Sequence, residues 1–339
     1  MSPGHSRGDF HFGSAQTCRR AQIPVEVDVS KPVIGLALGS GAARGWSHIG
    51  ILEVLVEEGL EPDVIAGCSM GAFVGAAFLT GSLQRLKDWA EALSFSGFAR
   101  RLDISPSSGG IIAGKLIERL MDELGIKGDI KALPKPFATV ATDYLTGREV
   151  WHQTGPVGEA VRASISVPGV IAPYRIGSDW FVDGGLVNPV PVSVCRALGA
   201  SVIIAVNLNG DLVGRRGRSD TVPPNEGSRN EMIQRAIAGL PTAWRENTTK
   251  ALQDVFSPKP HTPPLFDVLA NSINIMQDRI TRSRMAGEPP HVMIMPQLLG
   301  MGPFQFDQAK KAIEEGRARA RLALPHIEHA LATSAEGVA

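Results

Sequence analysis

The chain has 339 residues, 43% of them hydrophobic, and its 34 basic and 34 acidic side chains give a formal net charge of zero. That length buries a substantial core, and the charge balance excludes nucleic acid as a main partner, since phosphate binding needs a basic excess. The three cysteines, Cys18, Cys68 and Cys195, are odd in number and widely spaced, which suits a reducing compartment and carries no metal signature.

Residues 1–30 show little periodicity and lack the apolar run of a signal peptide, so they are expected to form a disordered tail on a cytoplasmic protein. Peripheral contact with the inner face of the membrane is a further expectation. Val33 to Leu38 reads as a buried strand. The turn that follows, Gly39-Ser40-Gly41-Ala42-Ala43-Arg44-Gly45, lacks the G-K-[ST] of a phosphate loop. Arg44 also stands where a dinucleotide fingerprint needs glycine. What remains is an oxyanion hole, with backbone N–H groups at a helix start aimed at a tetrahedral intermediate. Ile49, Leu52 and Val56 space the next helix, which Gly59 ends. His48 lies one turn inside it and reads as structural, or as lining the cradle, rather than catalytic.

Asp63 to Ala66 is a second short buried strand, followed by Gly67-Cys68-Ser69-Met70-Gly71, a G-x-S-x-G. In that motif the serine occupies a tight strand-to-helix turn, and flanking glycines remove Cβ clashes. Ser69 is therefore a candidate nucleophile, and Cys68 reads as a small buried neighbour. Ala72 to Leu79 is apolar all round, as a buried helix would be, and too short to span a bilayer.

Helices are predicted over 83–92, 115–124 and 157–164, with a lid or surface loop over 94–110. Phe137 to Thr142 and Glu149 to His152 form a hairpin-like pair around Asp143, an alternative but less favoured carboxylate. Asp179 to Val182 delivers Asp183-Gly184-Gly185, where the glycines allow close backbone approach. Asn188 to Val192 opens another helix and Val202 to Val206 a further buried strand. Strand and helix alternate, which calls for an α/β fold: a wound, mostly parallel sheet with helices on both faces. Residues 209–262 read as a mobile insertion carrying a short helix at Met232 to Leu240, with Arg215, Arg216 and Arg218 on a solvated loop. Residues 263–339 read as a helical C-terminal extension packing on the core. Its first helix, Leu265 to Met285, is expected to turn Leu269, Ile273, Met276 and Ile280 inward. His291 to Met295 is a last strand, and Phe306 to Leu331 a helix with a break or kink at Pro325.

The three motifs G-x-G-x-x-[RK]-G, G-x-S-x-G and D-G-[GA], in this order, are far more specific together than singly. Their combination resembles the patatin-like phospholipases, the family that includes neuropathy-target-esterase relatives. The resemblance covers residues 33–208, the expected catalytic domain. It implies a serine lipid acyl hydrolase of phospholipase, lysophospholipase or esterase type, with a Ser-Asp dyad and no histidine, metal or cofactor. Carried over, Ser69 is the nucleophile and Asp183 the general base. Gly39, Gly41, Ala42, Arg44 and Gly45 surround the oxyanion hole, while Ser166 to Pro173 resembles a segment lining the substrate cleft. Ala42 departs from the frequent glycine; alanine still offers its N–H, so the hole is expected to survive if φ there is negative. Two rivals stand beside this reading. One is an α/β-hydrolase using a Ser-Asp-His triad with His291. The other is a regulatory or scaffold protein that keeps the fold with little turnover.

Overall fold

Alternating Ile, Val, Leu and Ala in short runs makes the strands at the centre of the molecule buried on both faces. The structure, a computed structural model, describes residues 31–94, 110–211 and 265–336. In chain order the elements are β1 (Ile34–Leu38), α1 (Ser47–Glu57), β2 (Val64–Cys68), α2 (Met70–Leu79), α3 (Leu83–Glu91), β3 (Gly110–Ile112), α4 (Lys115–Leu124), β4 (Phe137–Asp143) and β5 (Glu149–His152). They continue with α5 (Val157–Ser164), β6 (Gly169–Ile171), β7 (Tyr174–Ile176), β8 (Asp179–Asp183), α6 (Val192–Ala197), β9 (Val202–Val206), α7 (Leu265–Gly287), β10 (Val292–Ile294) and α8 (Ala309–Glu336).

The main sheet runs β10-β9-β1-β2-β4-β8-β7, with β5 also on β4, while β3 and β6 pair separately. Strands β10, β9, β1, β2 and β4 are mutually parallel, and β5, β8 and β7 add antiparallel pairs. On β1, Leu36 and Leu38 face a core built with Ile49, Leu52, Phe73 and Ile313, while Ala37 faces the other, with Val192, Val194 and Ile203. Helices therefore cover both faces, and the fold is the mostly parallel α/β sheet that the sequence pattern predicts.

One pairing detail positions the site. Strand β4 pairs with β2 through Val140↔Cys68 and with β8 through Ala141↔Asp183. Both β4 residues also pair with β5, so β5 takes one edge of β4, and β2 and β8 share the other. Parallel β2 and antiparallel β8 thus point their C-terminal ends at each other. Residues 68 and 183 end up against consecutive positions of one strand.

Helix α8 crosses α1 at paired glycines. A Cβ on Gly50 would strike the Ile313 carbonyl, and one on Gly316 the Ser47 carbonyl. Arg317 Nε reaches Glu53 Oε2 at 2.8 Å beside this crossing. Contrary to the expected break, α8 continues through Pro325. Proline removes one backbone hydrogen bond, and buried Ala320, Ala323 and Ile327 anchor the helix on either side.

Helix α7 turns the expected face only partly inward: Ile273 and Ile280 are half-buried. Leu269 and Met276 are 50% and 47% exposed, whereas Asn274, Gln277, Asp278 and Thr281 are buried. The reason is its neighbours: the surface it covers is polar, made by Ser40, Arg44, Asn209 and the turn at Gly185. The expected tail, the loop over 95–109 and nearly all of the insertion, including its helix and arginines, lie outside the described residues.

Candidate active site

Two close approaches shape the turn around Ser69. A Cβ on Gly67 would overlap the Ala72 backbone, and one on Gly71 would strike the Leu38 carbonyl of β1. With both glycines in place, Ser69 sits at φ 55°, a left-handed conformation rare outside glycine. Such strain costs on the order of 1–3 kcal/mol and persists because the surroundings over-determine it. Here Ser69 N donates to Ser164 Oγ at 2.9 Å, and that hydroxyl donates to Val140 O at 2.5 Å. The side chain stands at the N-terminus of α2, where the helix dipole favours negative charge.

Asp183 arrives from the opposite direction at the end of β8. Ser69 Oγ donates to Asp183 Oδ2 at 2.6 Å, and Gly185 N donates to Oδ1 at 2.7 Å. Asp183 N donates to Ser166 O at 2.9 Å, and Thr142 Oγ1 to Asp183 O at 2.9 Å. A Cβ on Gly184 would meet the Val140 carbonyl, and one on Gly185 would meet Gln277, so both glycines let the turn close. Ser69 is 5% exposed and Asp183 2% exposed. Burial pushes the Asp183 carboxyl up to about 6, against the downward pull of the Ser69 and Gly185 hydrogen bonds.

The glycine-rich turn lies beside this pair. Most of its amides are engaged: Gly39 N donates to Val206 O, Ser40 N to Pro189 O, Ala43 N to Pro303 O and Arg44 N to Gly41 O. The N–H groups of Gly41 and Ala42 have no backbone acceptor among the described residues, and both residues line the cleft with Ser69. The five positions named from the sequence therefore divide. Gly41 and Ala42 offer amides. Gly39 and Gly45 make room for Val206 and Met70, and Arg44 holds the turn with its side chain. The condition of a negative φ at Ala42 is not met: its φ is +49°. Glycine takes that conformation without a Cβ penalty, so Ala42→Gly is expected to raise stability by about 1 kcal/mol, read from urea midpoints.

His48 is fully buried, and its Nε2 lies 2.8 Å from Gly39 O. Burial lowers its pKa to about 4, so the ring is neutral at pH 7 and donates to that carbonyl, steadying the turn. His291 sits at the edge strand, with Nδ1 accepting from Ile203 N at 3.0 Å. Asp143 is half-buried and binds its own turn through Leu145 and Thr146. Cys68 is buried.

Sequence reasoning missed a polar network under α7. Buried Arg44 donates from Nη2 to Asn209 Oδ1 at 3.1 Å and to Asn274 Oδ1 at 3.0 Å. Gln277 Oε1 accepts from Ser40 Oγ at 3.0 Å and from Asn209 Nδ2 at 2.9 Å. The signal was present in the order of residues: 274, 277, 278 and 281 are polar at helical spacing. Val167, Pro168, Val170, Leu269 and Ile273 complete a largely apolar cleft beside Ser69.

A family model described as patatin-like phospholipase matches residues 36–196. An uncharacterised NTE family protein of Mycobacterium tuberculosis is 34% identical over 341 residues, covering 88% of this chain and 93% of the relative. This chain belongs to the patatin-like phospholipase family. Patatin-like phospholipase domain-containing protein 6 of Mus musculus is 31% identical over 182 residues, spanning 52% of this chain and 13% of that protein. VipD from Legionella pneumophila is a remote structural likeness, with a TM-score of 0.43 and 12% identity over 88% of this chain and 67% of that one. As a patatin-like protein, the chain has both residues of the proposed dyad inside the matched stretch, whereas α7 and α8 lie beyond it. Among the described residues no helix is long and apolar enough to cross a membrane.

Proposed function

We propose that this patatin-like protein is a serine hydrolase of lipid acyl esters. The observation that carries the reading is the 2.6 Å hydrogen bond from Ser69 Oγ to the buried carboxylate of Asp183. Asp183 Oδ2 takes the Ser69 proton as Oγ attacks the ester carbonyl carbon. The Gly41 and Ala42 amides hold the oxyanion that forms. The intermediate collapses, the bond to the leaving alcohol breaks, and Asp183 returns its proton to that alkoxide. Water then gives a proton to Asp183 and attacks the acyl-serine. The second collapse releases the carboxylic acid, and the proton goes back to Ser69 Oγ. An ordinary carboxylate is a poor base for this work. A carboxyl raised to about 6 is better matched to neutral pH. In this reading residues 33–208 carry the chemistry and α7 roofs the cleft.

A fluorophosphonate probe tests the assignment. It should label the wild-type protein and Ser40→Ala, and leave Ser69→Ala unlabelled. Replacing His291 with alanine should leave p-nitrophenyl ester hydrolysis within about threefold of wild type, as for other substitutions away from the chemistry. A near-total loss in the His291 variant would move the mechanism to a triad. A wild-type protein that neither labels nor turns over would favour a scaffold role.

A further inference from the structure

The buried face of α7 contains one polar group that the dyad mechanism leaves unused. Asn274 is 6% exposed and lines the cleft together with Ser69, Gly41 and Ala42. Its Oδ1 accepts from Arg44 Nη2 at 3.0 Å. A guanidinium can only donate, so this contact fixes which end of the Asn274 amide faces Arg44. The opposite end, Nδ2, has no hydrogen-bond partner among the described residues. Buried amide N–H groups are rarely left without an acceptor, because desolvation is then uncompensated. Gln277, on the same face, shows the contrast: its oxygen is taken by Ser40 and Asn209.

Arg44 ties this orphan donor to the amide cradle. Its Nε donates to Gly41 O at 3.3 Å while its Nη2 holds Asn274, so one buried cation orients both. We infer that Asn274 is a substrate-contacting residue whose Nδ2–H donates to an oxygen of the bound acyl ester. This rests on the hydrolase reading above. It makes α7, which the family model does not reach, a wall of the active site. It also selects substrates that present an acceptor oxygen on the α7 side of the scissile bond.

The test compares Asn274→Asp and Asn274→Ala in the full chain, with p-nitrophenyl butyrate as the probe ester. Aspartate keeps an oxygen for Arg44 but removes the donor. Alanine removes both without adding charge. The expected result is a loss of about tenfold to a hundredfold in kcat/KM for both variants, the cost of an unmade hydrogen bond in a closed site. Asn274→Asp should keep a Tm at or above wild type, because its carboxylate pairs with Arg44. Wild-type kcat/KM in Asn274→Asp would overturn the inference and leave Asn274 as an anchor for Arg44. Loss in Asn274→Asp alone would also overturn it, since added charge would then be the cause. If wild-type protein shows no Ser69-dependent hydrolysis, the hydrolase reading falls and takes this inference with it. That outcome is separable, because it appears in the unmodified chain.

Discussion

Asp183→Asn is expected to lower kcat/KM for ester hydrolysis by about 10³-fold or more while leaving the protein folded, because an amide cannot take the Ser69 proton. In the wild-type protein the same carboxyl sets the pH profile. The ionised form is the base, so kcat/KM should rise with pH, reach half its plateau near pH 6, and fall about tenfold per unit below that. The stability effect has the opposite sign. The folded-state pKa of about 6 lies above the ordinary carboxyl value of 3.8, so the folded protein binds this proton more tightly than the unfolded chain. Stability from this group is full at low pH and is lost as pH rises between about 4 and 6. At neutral pH the cost approaches about 3 kcal/mol, from a shift of about two units. Asp183→Asn removes that cost, so the inactive variant should melt at a higher temperature. An active Asp183→Asn, or a profile flat through pH 6, would rule out this carboxylate as the base.

The second large effect concerns folding. Gly71→Ala places a methyl group against the Leu38 carbonyl, and the Leu38 Cβ would lie 2.8 Å away. The obstacle is the backbone of a central strand, which cannot swing aside as a flexible side chain would. Overpacking of this kind costs about 3 kcal/mol, and the urea midpoint should fall accordingly. Because α2 begins at Met70, any shift of the helix also moves Ser69. Fluorophosphonate labelling should therefore slow even where the variant remains folded. A Gly71→Ala protein with a wild-type midpoint would show that β1 and α2 tolerate wider spacing.

The order of the central strands and helices was legible because each apolar run and amphipathic stretch carries its own period, whereas the three-residue strands β3, β6 and β7 are too short to show one. The G-x-S-x-G turn, the Asp-Gly-Gly turn and the first glycine-rich turn were legible for a different reason. Each needs residues without side chains at fixed spacing, and chain composition rarely supplies that by accident. The inward face of α7 was read only in part by the same logic, since Ile273 and Ile280 are half-buried while Leu269 and Met276 are exposed. Hydrophobic periodicity assumes that a helix packs on an apolar core, but Asn274 and Gln277 pack on a polar one. The φ of Ala42 was left open by the sequence because side-chain identity does not report φ. The surrounding turn, pinned by Val206, Pro189 and Pro303, dictates its backbone. Pro325 does not end its helix, because buried Ala320, Ala323 and Ile327 hold the chain on either side of it.

The shared edge of β4 has a mechanical corollary. Ser69 follows directly after the residue paired with Val140, and Asp183 pairs with Ala141, so the two groups of the proposed dyad ride on one rail. Thermal rocking of that rail carries them together and preserves their spacing. The Gly41 and Ala42 amides belong to the turn after β1, which meets the rail through β2, through Gly45 against Met70 and through Gln277 between Ser40 and Gly185. A shift of β1 against β2 would move those amides relative to Ser69 and Asp183, so in the proposed mechanism the cradle depends on a register between two fully buried strands.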